Sequence, residues 1–142
     1  ADGAMRWTGA LPGAGTPTPT QPAAISDGVV AVTAAAAGTH RLGVYPRSGC
    51  ATSPCAPAWT ALLPAAPAGP PVLAGGLVWV AAGSDVRAYP AAGCGTATCA
   101  PVWSADLGAE AADQPAVSVG RVFVPTTGGV VAYGLTAATG RP

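Results

Sequence analysis

The chain has 142 residues, enough for one domain with a real core, and its charge is sparse and balanced, with six arginines against six acids. Lysine is absent and no basic stripe exists, which excludes nucleic acid and anionic membrane surfaces as partners. The longest apolar runs, Val29 to Val32 and Leu77 to Ala82, fall far short of the ~20 residues of a membrane-spanning helix.

From the N-terminus, residues 4–11, "AMRWTGAL", read as an isolated strand centred on Trp7. A Pro/Thr-rich stretch follows, "GAGTPTPTQP" at 13–22, which predicts an extended loop. Its Thr16, Thr18 and Thr20 are candidates for O-linked sugar. Next come three copies of one unit, at 22–63, 70–107 and 114–140. Tyr45, Tyr89 and Tyr133 lie 44 residues apart, and Cys50/Cys94, Cys55/Cys99 and Trp59/Trp103 keep the same interval. Pro71/Pro115, Gly76/Gly120 and Trp79/Phe123 do so too. The first copy departs twice: Gly28 precedes Gly76 by 48 residues and Trp7 precedes Trp59 by 52. Two four-residue insertions are thus implied, in "TAAAAGTHRL" and "GAGTPTPTQP", stretches where loops tolerate extra length.

Within each copy the first element is Pro-apolar ("PAAI", "PPVL", "PAV") and ends in a turn at Gly28, Gly76 or Gly120. A β-branched run follows ("VVAV", "LVWV", "RVFV"), then a strand closing on tyrosine ("RLGVY", "DVRAY", "GVVAY"), then in two copies a strand carrying tryptophan ("PAWTALL", "PVWSADL"). No helical period occurs anywhere. In the second strand, Val30, Val78 and Val122 share one face and Ala31, Trp79 and Phe123 the other, so both faces call for cover. The predicted fold is all-β: propeller blades of four antiparallel strands, three blades and twelve strands in the chain. The third copy stops short of its tryptophan strand. Closed propellers need four to eight blades, so the three are expected to be completed by another chain or by a further segment. The 4–11 strand supplies what the third copy lacks, which predicts homo-oligomers, a ring or a fibre, formed by N-terminal strand exchange.

The pattern Pro-apolar, Gly-Val-apolar-Val, Gly-apolar-x-Ala-Tyr, then Gly and Trp resembles the repeats of quinoprotein-like (PQQ-like) β-propellers. It is clearest in "PAVSVGRVFVPTTGGVVAYGLTAATG" and in "PPVLAGGLVWVAAGSDVRAY" ahead of "GCGTATCAPVW". The resemblance implies that tryptophan and tyrosine (Trp7, Trp59, Trp103, Tyr45, Tyr89, Tyr133) dock one blade on the next, with a Thr-Gly turn represented by Thr139-Gly140. The Cys-x4-Cys loops stand where that turn would be in the first two copies, as in some secreted bacterial members. Quinoprotein dehydrogenases hold their quinone and calcium with a carboxylate, an asparagine and a catalytic aspartate, and many carry an adjacent cysteine pair. This chain has neither asparagine nor adjacent cysteines, so no cofactor-binding, metal or catalytic residue carries over, and no cofactor is expected.

The chemistry-bearing residues agree with a binding module. Cys50, Cys55, Cys94 and Cys99 could make a four-thiolate zinc site or a redox pair. Four intervening residues are at the long limit of zinc knuckles and twice the two of redox motifs, however, and equivalent loops of different blades do not converge. Local disulfides are the preferred reading, and they imply an oxidising compartment and export. The sequence starts without a basic-then-apolar leader, which for an exported chain implies one already removed. His40, the only histidine, reads as a solvated loop residue; pairing with Ser26, Ser48, Ser53, Ser84, Ser104 or Ser118 lacks a GxSxG elbow. Asp106, Glu110 and Asp113 read as a solvated loop rather than as a calcium loop or a glycosidase pair. Arg41, Arg87 and Arg121, on or beside strands, read as partners of acids. The expected function is an exported, non-catalytic propeller module for binding an extracellular ligand or for self-assembly. The competing readings are a fragment of a quinoprotein-like enzyme and a receptor sensor ectodomain.

Overall fold

The computed structural model describes residues 2–26 and 28–135. Thr139-Gly140 and the end of the third copy lie outside that range, as does Asp27. Twelve strands form three antiparallel sheets, and no helix long and apolar enough to cross a membrane occurs among the described residues.

The first sheet holds β1 (Thr18–Pro19), β2 (Ala24–Ile25), β3 (Val29–Ala36), β4 (Thr39–Pro46) and β5 (Trp59–Leu63). β1 and β2 pair successively along the same edge of β3, and β4 and β5 follow on its other side. The second sheet runs β6 (Val72–Ala74), β7 (Leu77–Ala82), β8 (Asp85–Pro90), β9 (Trp103–Asp106) in spatial as in chain order. The third has β10 (Ala116–Ser118), β11 (Arg121–Thr126) and β12 (Gly129–Gly134) and no fourth strand among the described residues. Each sheet is a meander of the kind a propeller blade uses.

Registers repeat with the sequence. Val30 pairs with Tyr45, Val78 with Tyr89 and Val122 with Tyr133. Two apolar layers separate the three sheets. Ala31, Leu42, Val44 and Trp59 of the first meet Val78, Val80 and Tyr89 of the second. Trp79, Ala81, Val86 and Ala88 of the second meet Val122 and Val124 of the third. Since alternate residues of a strand face opposite ways, β7 lies inside both layers and every residue from Val78 to Ala82 is buried.

Three expectations change here. Residues 4–11 form no regular strand, and their only ladder pairing is an isolated parallel bridge from Gly9 to Cys55. The four extra residues near His40 do not enlarge a loop. They lengthen the hairpin, with β3 and β4 at eight residues each against six each in β7 and β8. His40 therefore sits in β4, half-buried between Ala35 and Leu63, with Nδ1 buried and without a hydrogen-bond partner among the described residues. The Pro/Thr-rich stretch is likewise not all loop. Its Thr18–Pro19 strand pairs with Ala34 and Ala35 on the lengthened hairpin, so one insertion covers the other. Pro19↔Ala34, Pro67↔Ala82 and Ala111↔Thr126 are equivalent bridges, a link ahead of each copy's first strand that the strand pattern had not disclosed.

Candidate functional site

The polar side chains singled out in the sequence do not converge. Among the described residues no group of three or more His, Cys, Asp or Glu is placed to hold a metal, and no hydrogen bond joins His40 to any serine. Asp106 Oδ1 accepts from the Gly108 amide at 2.7 Å and Asp113 Oδ1 from Gln114 N at 2.7 Å, so both carboxylates cap their own turns. Glu110 accepts from Thr127 N through its backbone carbonyl. Arg87 donates to Asp85 at 3.0 Å, Arg41 lies on β4, and Arg121 stands exposed on β11. Thr16 and Thr18 are exposed, whereas the Thr20 hydroxyl donates to Thr33 Oγ1 at 2.9 Å.

The aromatics, by contrast, come together in three places where a tryptophan-bearing segment meets the following unit, and in two of them a cysteine loop joins them. Trp59, at the start of β5, stacks on Tyr89 of the next sheet with ring centroids 6.1 Å apart, and its Nε1 donates to the Ala91 carbonyl at 3.3 Å. One repeat earlier, Trp7 lies 6.0 Å from Tyr45 and donates to the Arg47 carbonyl at 3.1 Å. One repeat later, Trp103 meets Tyr133 edge-on at 5.7 Å. Each tryptophan thus belongs to one unit and spends its ring on the next. The tyrosine hydroxyls of Tyr45 and Tyr133 reach back to the carbonyls of Ala10 and Asp106, which are equivalent positions in the repeat. Burial pushes the Tyr45 hydroxyl up to about 12, and raises Tyr89 too, where the Arg87 guanidinium opposes the shift.

The cysteine loops complete this clasp. Cys50 is bonded to Cys55 and Cys94 to Cys99, with Cα separations of 5.4 and 5.8 Å. Each loop pairs with the tryptophan-bearing segment of the preceding unit. Cys99 N donates to the Thr60 carbonyl and Thr60 N to Ala97, both at 2.8 Å. In the same way, Cys55 N donates to Thr8 at 2.7 Å and Ala10 N to Cys55 at 2.9 Å. Glycine is required just before the first cysteine: at φ +91° a Cβ on Gly93 would stand 2.9 Å from the Trp59 ring, and one on Gly49 2.7 Å from Trp7. The Gly-Cys-x4-Cys stretch is therefore a bracket that receives the preceding tryptophan.

Two edges of this system are open. Along an antiparallel strand, successive peptide groups point alternately to the two neighbours. Leu135 N bonds Gly120 O, so Tyr133, Val131 and Gly129 bond β11, and the peptide groups of Gly134, Ala132 and Val130 face away from it. In the second sheet the equivalent outward group, Ala88 O, accepts from Val102 N, the residue just before β9. In the third, nothing among the described residues pairs with that side of β12. The N-terminal segment shows the converse. Thr8 and Ala10 turn their peptide groups to the cysteine loop, leaving those of Trp7, Gly9 and Leu11 without backbone partners among the described residues. Next to the open β12 edge lies an uncovered sheet face: Phe123, 37% exposed, and Val130, 72% exposed, beside Pro125 and Ala132.

Sheets of this topology, layered face to face through repeated aromatic clasps, are β-propeller blades. No family model matches the sequence, and no curated protein does. In three dimensions the chain is similar to the crystal structure of BamB from Moraxella catarrhalis, a β-propeller, with a TM-score of 0.60 at 19% identity over 82% of this chain. The match covers 34% of that chain, so the present chain spans about a third of BamB. The all-β propeller architecture stands; the match carries fold and not activity.

Proposed function

We propose that this chain is an exported, non-catalytic propeller segment whose role is to assemble with further copies of itself, its end loops remaining free for an extracellular ligand. The observation that carries the reading is the pair of open edges among the described residues: the outer edge of β12, unpaired beside an uncovered apolar face, and the N-terminal segment, docked on the first cysteine loop by Thr8 and Ala10 with the peptide groups of Trp7 and Gly9 left open. Apolar cover missing from one face and present on its repeat equivalent is what marks an interaction surface. The two disulfides support an oxidising compartment. The resemblance of the repeats to quinoprotein-like propellers supports membership of that broad group without its cofactor chemistry. Size-exclusion chromatography with light scattering tests the reading: the 142-residue chain elutes at a multiple of 13.5 kDa, and deleting residues 1–10 returns it to monomer. A folded, stable monomer overturns it. That result would favour a second reading, suggested by the match to only a third of BamB, in which further blades of one longer polypeptide cover the same faces.

A further inference from the structure

We infer that the open edges are complementary in one register: residues 7–10 of a second copy lie antiparallel on β12, with Trp7 opposite Ala132, Thr8 opposite Val131, Gly9 opposite Val130 and Ala10 opposite Gly129. The inference rests on the assembly reading above and fixes its interface.

The register comes from the pairing of the last two strands in the first and second sheets. In the first sheet Val44 pairs with Trp59, and in the second Ala88 pairs with Trp103. Ala132 is the repeat equivalent of Ala88 by the 44-residue interval, and Trp7 that of Trp59 by the 52-residue interval. The alternation of peptide groups agrees independently. The outward groups on β12 are those of Ala132 and Val130, and the unpartnered groups on the N-terminal segment are those of Trp7 and Gly9, so open groups face open groups; at the Trp7 end the Ala132 carbonyl takes Arg6 N, as Val44 O takes Ala58 N and Ala88 O takes Val102 N. A shift by one residue would set outward groups against groups already bonded to the cysteine loop.

Side chains point the same way. In the second sheet Trp103 packs on Trp79 at 5.7 Å, and the equivalents are Trp7 and Phe123. The half-exposed Phe123 of one copy meets Trp7 of the next, whose other side already rests on its own Tyr45. The second copy's first blade then covers the face formed by Phe123, Pro125, Val130 and Ala132. Such a contact is head-to-tail: every added copy presents the same free β12 edge, so the assembly closes as a ring or extends as a fibre according to the angle per blade.

Cysteine pairing between differently substituted copies tests the register. Non-hydrogen-bonded antiparallel partners bring Cα atoms to about 4.5 Å, within disulfide reach, whereas diagonal positions stand about 7–8 Å apart. Mixing Thr8→Cys copies with Val131→Cys copies, or Ala10→Cys with Gly129→Cys, under oxidising conditions is expected to give a covalent dimer on a non-reducing gel. The crossed mixtures, Thr8→Cys with Gly129→Cys and Ala10→Cys with Val131→Cys, are expected to give at least tenfold less. Circular dichroism of each variant establishes folding, and the two independent matched pairs guard against loss of either. Oligomers by light scattering with crossed pairs linking as well as matched ones overturn the register and leave assembly standing. Folded monomers throughout overturn the assembly reading itself.

Discussion

β7 and β11 hold the same place in successive repeats and read almost alike, "LVWV" against "RVFV", yet their surroundings differ. In β7 both faces are covered, and Val78 and Trp79 are 0% and 2% exposed. In β11 Val122 is just as buried, while Phe123, in the place of Trp79, is 37% exposed and Arg121 replaces Leu77. Burial of a strand's second face is thus a property of the next blade and not of the strand. A propeller blade is finished only by its neighbour, and the third blade's neighbour is not within the described residues.

The sharpest break in this comparison comes from truncating the two equivalent aromatics. Trp79→Ala removes a ring buried on all sides and is expected to destabilise the chain by about 3–5 kcal/mol in urea unfolding. Phe123→Ala in dilute, dissociated protein should cost about 1 kcal/mol or less, and markedly more once copies assemble. Equal losses for both under dissociating conditions would mean that the third blade is already covered within one chain. Next in size, replacing Cys94 and Cys99 by serine opens the loop that grips the β5 segment, with an expected loss of about 2 kcal/mol and a lower unfolding midpoint. The docked cysteine loops should also show slower amide exchange at Cys99 than at the exposed Gly95.

A finer test separates backbone strain from contact. Gly93→Ala and Gly95→Ala meet similar positive φ values, +91° and +85°, but only the first drives a Cβ into Trp59. Gly93→Ala is expected to be the worse by about 1–2 kcal/mol, with altered tryptophan fluorescence. Equal effects would remove Trp59 from the clasp. The smallest effect concerns alkali. Because the folded chain keeps the Tyr45 hydroxyl protonated up to about 12 while an unfolded tyrosine ionises near 10, the unfolded state holds fewer protons between those values. Stability is therefore whole below about pH 10 and falls as pH rises toward 12. Tyr45→Phe should flatten that decline, as read by unfolding midpoints across the range.

Much of this was legible from spacing. The 44-residue interval located the strands of each copy, their order and the tyrosine and tryptophan positions, because a repeat must place equivalent residues equivalently. The cysteine loops were legible as local staples, but their bracket around the preceding tryptophan was not, since Gly49 and Gly93 carry no signal of what stands above them. The insertions were misplaced for a related reason. Alanine and threonine around His40 suit a loop by composition, and only pairing of β1 across Ala34 and Ala35 makes a longer hairpin worthwhile.

The sequence by itself determined the blade: short β-branched strands, turns at fixed offsets, a tyrosine closing the third strand and, in two copies, a tryptophan opening the fourth, all consequences of local propensity repeated along the chain. Tertiary structure alone decided which peptide groups are spent and which remain open. That depends on the neighbour on each side of a strand, and the outward groups of Trp7, Gly9, Val130 and Ala132 are distinguished from those beside them only once the cysteine loop and β11 have taken their share.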